Sequence, residues 1–342
     1  METQQHLETS HNSKLDSAEI ANLWTSYMND TMATCVIQYF LQHVEDTEIK
    51  ALLEYALHLS KQHIQTISQI FTDENIAIPY GFNEADVNLK APRLYSDSFY
   101  LAYLVNMAKF GSNTYTVALA NAARSDIRRF YTECGESSAE LFNKSASVSI
   151  SKGLFVRAPF IPAQQQAQYI QKQSFLSGWF GRRPLTAIEI MDLFFNKQRN
   201  EIGVALLIGF SQVATSQKVR DYMVRGKEIA GKHVEIFGSI LSECDLPSPS
   251  SSDLMVMEST ESPFSDKLMM FHTTALIAAG IGYYGASLGT SPRHDLSVHY
   301  TRLIGEIGIF ADDGAKLMIQ NGWLEQPPTA PDRSAIVKGT KS

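Results

Sequence analysis

The sequence predicts an all-α protein made of two tandem four-helix bundles that arose by internal duplication. Three observations predict it. The two halves correspond stretch by stretch at an offset of 169 or 170 residues; each half carries four long segments of helical hydrophobic period; and each half has one long, polar, helix-breaking connection at its middle.

The duplication is plainest where helices start and stop. "SVSISKGLFVRAPF" (147–160) lies over "KLMIQNGWLEQPPT" (316–329), placing Gly153 on Gly322, Leu154 on Trp323 and Pro159 on Pro328. In both, a glycine past the last helical turn can take the left-handed conformation, an apolar residue folds back, and proline prevents resumption. "LDSAEI" (15–20) lies over "LTAIEI" (185–190), each a helix start with Asp16 or Thr186 as cap and Glu19 or Glu189 three residues on. Between these marks Phe40 falls on Phe210, His63 on His233, Ser96-Asp97 on Ser265-Asp266, Gly111 on Gly280, Tyr115 on Tyr284, Asp126 on Asp295 and Tyr131-Thr132 on Tyr300-Thr301. A period this long makes each copy a whole domain.

In the second copy, helices are expected over about 186–215, 216–243, 265–289 and 292–321. The first places Ile190, Phe194, Glu201, Val204 and Ile208 on one face, and the second turns Val219, Met223, Ile229, His233, Ile236 and Ile240 inward. "CDLPSPSSSDLMVMESTESP" (244–263) separates the pairs, as "TDENIAIPYGFNEADVNLKAPRL" (72–94) does in the first copy. Two tight pairs joined by one long crossover is the ferritin-like variant of the four-helix bundle. The expected division is a disordered tail at 1–14, the first bundle at 15–162, a linker at 163–184, the second bundle at 185–331 and a C-terminal tail at 332–342.

With 44% hydrophobic and 19% charged residues the chain has a globular composition. A net charge of −7, with Arg128-Arg129 and Arg182-Arg183 as the only arginine pairs, argues against nucleic acid as a partner. Cys35, Cys134 and Cys244 form no CxxC pair and suit a reducing compartment. The opening "METQQHLETSHNSKLD" has no apolar core, so a cytoplasmic protein is expected. The uncharged run 268–292 contains His272 and four glycines and reads as a buried bundle helix rather than a membrane insertion.

"GWLEQPP", "PFSDKLMMFH", "RHDLSVHYTRL" and "VNLKAPRLYSD" together resemble an uncharacterised tandem-domain family of spore-forming bacteria. That family is similar to the coat-F type of spore coat protein and belongs to the ferritin-like superfamily. The resemblance covers about residues 15–333. It implies the double bundle and a sporulation setting, with possible spore association, but no catalytic residues. On this reading the chain is a non-enzymatic structural or interaction protein with protein partners or self-association.

A ferritin-like bundle raises the question of a metal. The two-metal form needs a Glu on each of two helices and Glu-x-x-His on each of the others, and no Glu-x-x-His occurs here. A weaker constellation lies in the second copy. Glu201, His233, His272 and Glu306 occupy one helix each, on or beside its apolar face, and two carboxylates with two imidazoles would suit Fe, Mn or Zn. In the first copy the same positions hold Thr31, His63, Tyr103 and Ser137, so only the second would bind metal this way. A buried polar pair such as Glu201 with His233 is the structural alternative. No cofactor is expected otherwise. A third reading is a small-ligand carrier using space between apolar helices, for which a cavity would be the cue.

Overall fold

The computed structural model describes residues 14–179, 182–250 and 254–338. The tail expected at 1–14 therefore lies, apart from Lys14, outside the described residues, as do 339–342 of the C-terminal tail. Eight long helices carry the fold: α1 Ser17–His43, α2 Thr47–Asp73, α3 Asp97–Ala120, α4 Ser125–Ser151, α5 Ala187–Val213, α6 Gln217–Ser242, α7 Asp266–Thr290 and α8 His294–Gln320. A short α9, Arg333–Val337, follows, and no strand is formed among the described residues beyond two isolated bridges. Each half has two helical hairpins joined by a long crossover, the predicted plan. The helices expected from periodicity in the second copy match α5 to α8 to within two residues.

The repeated residues turn out to be repeated because they tie down helix ends. Ser96 Oγ accepts from Phe99 N and Ser265 Oγ from Leu268 N, capping α3 and α7. The adjacent aspartates reach another helix: Asp97 accepts from Glu45 N and Asp46 N at the start of α2, and Asp266 from Thr215 N and Ser216 N at the start of α6. Glu19 closes a capping box with Asp16 and also accepts from Ala123 N and Arg124 N before α4. Glu189 does the same with Thr186 and, before α8, with Arg293 N. Arg124 pairs with Asp126 and Arg293 with Asp295. At the far end, Gly153 and Gly322 have φ of 70° and 68°, and Leu154 N and Trp323 N bond back to Ser149 O and Met318 O. Both emphatic stops are Schellman closures.

The two halves do not stand apart. One apolar cluster runs through both, with Phe40, Tyr95, Phe99, Phe210, Phe264 and Leu268 at its middle; a smaller one around Leu23, Ile67, Phe71 and Ile127 fills the far end of the first bundle. The crossovers pair with each other. Val87 bridges to Phe264 and Tyr95 to Val256. At the 169-residue offset Val87 corresponds to Val256 and Tyr95 to Phe264, so the two bridges exchange under a pseudo-twofold relation. Four backbone bonds follow the same exchange: Asn88 N to Pro263 O, Met257 N to Leu94 O, Ser265 N to Asp86 O and Ser96 N to Met255 O.

One close approach breaks the symmetry. The Tyr95 hydroxyl donates to Leu206 O at 2.8 Å, lying against Gly209. A Cβ on Gly209 would fall 2.3 Å from that hydroxyl and 2.5 Å from the ring. The equivalent position in α1 is Tyr39, which faces Phe264, a ring without a hydroxyl, edge-on at 5.2 Å. Gly209→Ala is therefore expected to force Tyr95 out of place and lower stability by about 1–3 kcal/mol, the usual cost of overpacking. Gly305→Ala, where a Cβ meets nothing within 4 Å, should be neutral or stabilising. Thermal unfolding of the two variants beside the parent checks this.

Candidate functional site

The packing of the halves leaves a partly open space between them. A cavity of about 230 Å³ receives side chains from all eight long helices. A second space of about 270 Å³ adjoins it between α3, the end of α4, α5 and the second crossover. Asn106, Lys109, Phe195, Arg199 and Ile202 line both, and so form the partition between them. The first is mainly apolar; the second is more polar, with Ser98, Gln198 and Ser250 on its wall.

Polar groups sit at three places along the first cavity. In the first bundle, His63 Nδ1 lies 3.3 Å from Asp30 Oδ2 and 3.4 Å from the Tyr115 hydroxyl. Tyr131 and Ser26 are beside them at 3.4 Å from each other. Burial and the Asp30 charge hold the Tyr115 hydroxyl protonated, far above its usual range. In the second bundle, Asn200 Nδ2 donates to the Tyr284 hydroxyl at 2.7 Å, which lies 2.8 Å from His233 Nδ1. His233 Nε2 lies 3.3 Å from Glu306 Oε2, and Glu306 also receives Lys232 Nζ at 2.7 Å. With Tyr284 already accepting from Asn200, its proton points to Nδ1, so the neutral imidazole carries its own proton on Nε2, toward Glu306. Burial lowers the His233 pKa against the opposing pull of Glu306.

The third place is the pseudo-axis itself. His272 Nε2 meets the Tyr103 hydroxyl at 3.3 Å. These are equivalent positions of the two copies, one from α3 and one from α7. His272 is 3% exposed, its Nδ1 has no hydrogen-bond partner, and burial drives its pKa down to about 4. It is a neutral imidazole at physiological pH.

The four residues predicted to converge do not do so. Only His233 and Glu306 come together. Glu201 turns away to Lys197, at 2.5 Å, and that ammonium is also held by Pro249 O and Ser250 Oγ of the crossover. His272 faces the other bundle. The cause is rotation about the helix axis: Glu201 lies beside the apolar face rather than on it, and its lysine four residues earlier draws it to the edge. Among the described residues no group of three or more His, Cys, Asp or Glu could hold a metal ion. A protein site for zinc uses three or four ligands, and one imidazole with one carboxylate falls short of it. Elsewhere, burial raises the thiol of Cys35 to about 12 and that of Cys134 higher still, so neither is a ready nucleophile.

Sequence reasoning missed the Asp30–Asn200 position, and saw Tyr115 and Tyr284 only as marks of duplication. The available signal was that the His–Tyr pair recurs at one offset in both halves, with Asp30 and Asn200 corresponding across it.

The His272 arrangement has a pH consequence. The unfolded chain takes up a proton near pH 6.5, the folded one not until about pH 4. The stability is therefore complete above pH 6.5 and is lost as pH falls to 4, by about 3 kcal/mol from this group. His233 acts in the same direction. In His272→Phe the loss of stability between pH 6.5 and 4 should be smaller than in the parent, while stability at pH 7.5 drops by about 1 kcal/mol for the lost Tyr103 bond. Urea unfolding at a series of pH values reads both.

No helix among the described residues is long and apolar enough to cross a membrane. No curated protein matches this sequence. A crystal structure from Bacillus halodurans, titled as that of a candidate spore coat protein, is similar at 14% identity over 44% of this chain and 98% of that one. Its TM-score is 0.40. The family model described as "Protein of unknown function (DUF3231)" matches twice, at residues 5–167 and 174–336. Its two matches cover the paired bundles, and the chain belongs to that family, with one copy of the unit in each half.

Proposed function

We propose that the protein acts by binding rather than by catalysis, and that the space shared by its two bundles is a ligand chamber. The observation that carries this is the cavity of about 230 Å³ lined from all eight long helices. Engineered apolar cavities of such a size in an otherwise close-packed interior cost stability. A ligand returns stability that grows with the logarithm of its concentration relative to its dissociation constant. Somewhat below the roughly 300–1,000 Å³ of pockets for drug-sized molecules, the chamber suits a small or slender ligand. The setting in sporulating cells, and a role alongside protein partners, rest on the resemblance of the sequence motifs to the coat-F type.

The test is titration with N-phenyl-1-naphthylamine, an uncharged dye that fluoresces in apolar surroundings. Saturable binding at one site is expected. Ala33→Leu and Ala230→Leu fill the chamber from α1 and α6, and each should weaken binding tenfold or more with the helical content kept. Absence of saturable binding by the parent protein would sink the proposal.

A metal-binding role in the second bundle is the alternative, favoured by the His233–Glu306 pair alone. It requires further ligands from outside the present set. Elemental analysis after incubation with Fe(II), Mn(II) or Zn(II) decides it. Stoichiometric metal that disappears in His233→Ala/Glu306→Ala would support that role, and metal-free protein would remove it.

A further inference from the structure

The partition between the two cavities holds two cations with no anion. Lys109 on α3 and Arg199 on α5 are half-buried, and among the described residues neither makes a hydrogen bond or an ion pair. Their neighbours are aromatic faces instead. Lys109 Nζ lies 5.4 Å from the Phe195 ring centre, and Arg199 Cζ lies 6.0 Å from the same ring and 4.2 Å from that of Tyr283. A ring face attracts a cation but leaves its charge uncancelled. Burial, with the like charge of Arg199, lowers the Lys109 pKa, and burial lowers that of Arg199. Other buried cations among the described residues have a carboxylate: Arg293 has Asp295, Arg183 has Glu189 and Lys197 has Glu201.

Two unneutralised cations side by side, partly out of water, disfavour the empty state. One side of them is the apolar chamber, with Met107, Ile202, Leu206 and Leu276 on its wall. The other is the more polar space with Ser98, Gln198 and Ser250. That juxtaposition matches a molecule with an anionic head and one slender apolar tail. We propose that the chamber binds a single-chain carboxylate amphiphile, a medium-length fatty acid or its chemical equivalent. Its head lies between Lys109 and Arg199 and its tail extends into the space between the bundles. The guanidinium offers two parallel donors to a carboxylate, and the ammonium takes a remaining lone pair. This inference rests on the chamber being a binding site and adds the class of ligand.

The experiment is calorimetric titration of the full chain with dodecanoate, dodecanol and dodecylamine, each below its micelle concentration, with the neutral dye as reference. Dodecanoate should bind at least tenfold tighter than dodecanol, with dodecylamine weaker still, and the preference should shrink as salt is raised. In Lys109→Met/Arg199→Met, which keeps the apolar stems, dodecanoate and dodecanol should become equal while the dye still binds. Equal binding of acid and alcohol by the parent protein would overturn the carboxylate assignment and leave the chamber standing. Failure of dye and all three chains would remove the chamber as well. The headgroup comparison in the parent protein decides the matter even if the double variant does not fold.

Discussion

Everything in this molecule depends on how the two crossovers meet. Tyr95 and its counterpart Phe264 lie where each half hands its chain to the third helix, and each bridges to the other half's crossover. A four-helix bundle with a long crossover exposes the backbone of that segment, and exposed edges seek partners. Here each crossover is the partner of the other. Rings beneath them, Phe40, Phe99 and Phe210, join into one core. The halves therefore behave as an internal dimer with a self-complementary interface, as isologous homodimers do. Fusion of the copies allows the interface to become unequal, and Gly209 opposite Tyr95, where α1 has Tyr39, is the result.

Retention and divergence between the copies follow different physics. The caps are retained: Glu19 and Glu189, Ser96 and Ser265, Asp97 and Asp266, Arg124 and Arg293. Each satisfies backbone groups that a helix end leaves open or orients the residue that does, and the loss of one such cap costs about 0.5–2 kcal/mol. The centres diverge. Asp30 becomes Asn200, Ser60 becomes Ala230 and Ser137 becomes Glu306, with the His–Tyr pair kept. A bundle centre tolerates exchange where the new polar atoms find partners. In the second copy a continuous chain runs from Asn200 to Lys232 through Tyr284, His233 and Glu306. Among the described residues each copy also keeps buried polar atoms without a hydrogen-bond partner, Asp30 Oδ2 and Ser60 Oγ in the first and Asn196 Oδ1 and His272 Nδ1 in the second.

The same contrast separates structural from functional charge. Arg293 is 1% exposed yet locked by two bonds to Asp295, and so holds the start of α8. Such a buried pair, once satisfied, has little left to offer a ligand. Lys109 and Arg199 differ because rings rather than carboxylates surround them. They also lie on the boundary between an apolar and a more polar space.

The helices, their ends, the crossovers and the duplication are legible in the sequence, because those depend on local rules of period, cap and breaker that act within a few residues. The sequence also shows that His63 and His233 occupy one repeated position. What the side chains meet depends on contacts between elements far apart in the chain. Glu201 and Glu306 both lie beside apolar faces in the sequence, but a rotation of a fraction of a turn sends one to Lys197 and the other to His233. His272 looks inward in its own helix, yet inward there means toward Tyr103 of the other bundle. The cavity lies among all eight long helices, and its two cations stand on α3 and α5, helices from different copies whose contact no local pattern encodes. It arises from the fit of whole surfaces across the pseudo-twofold relation.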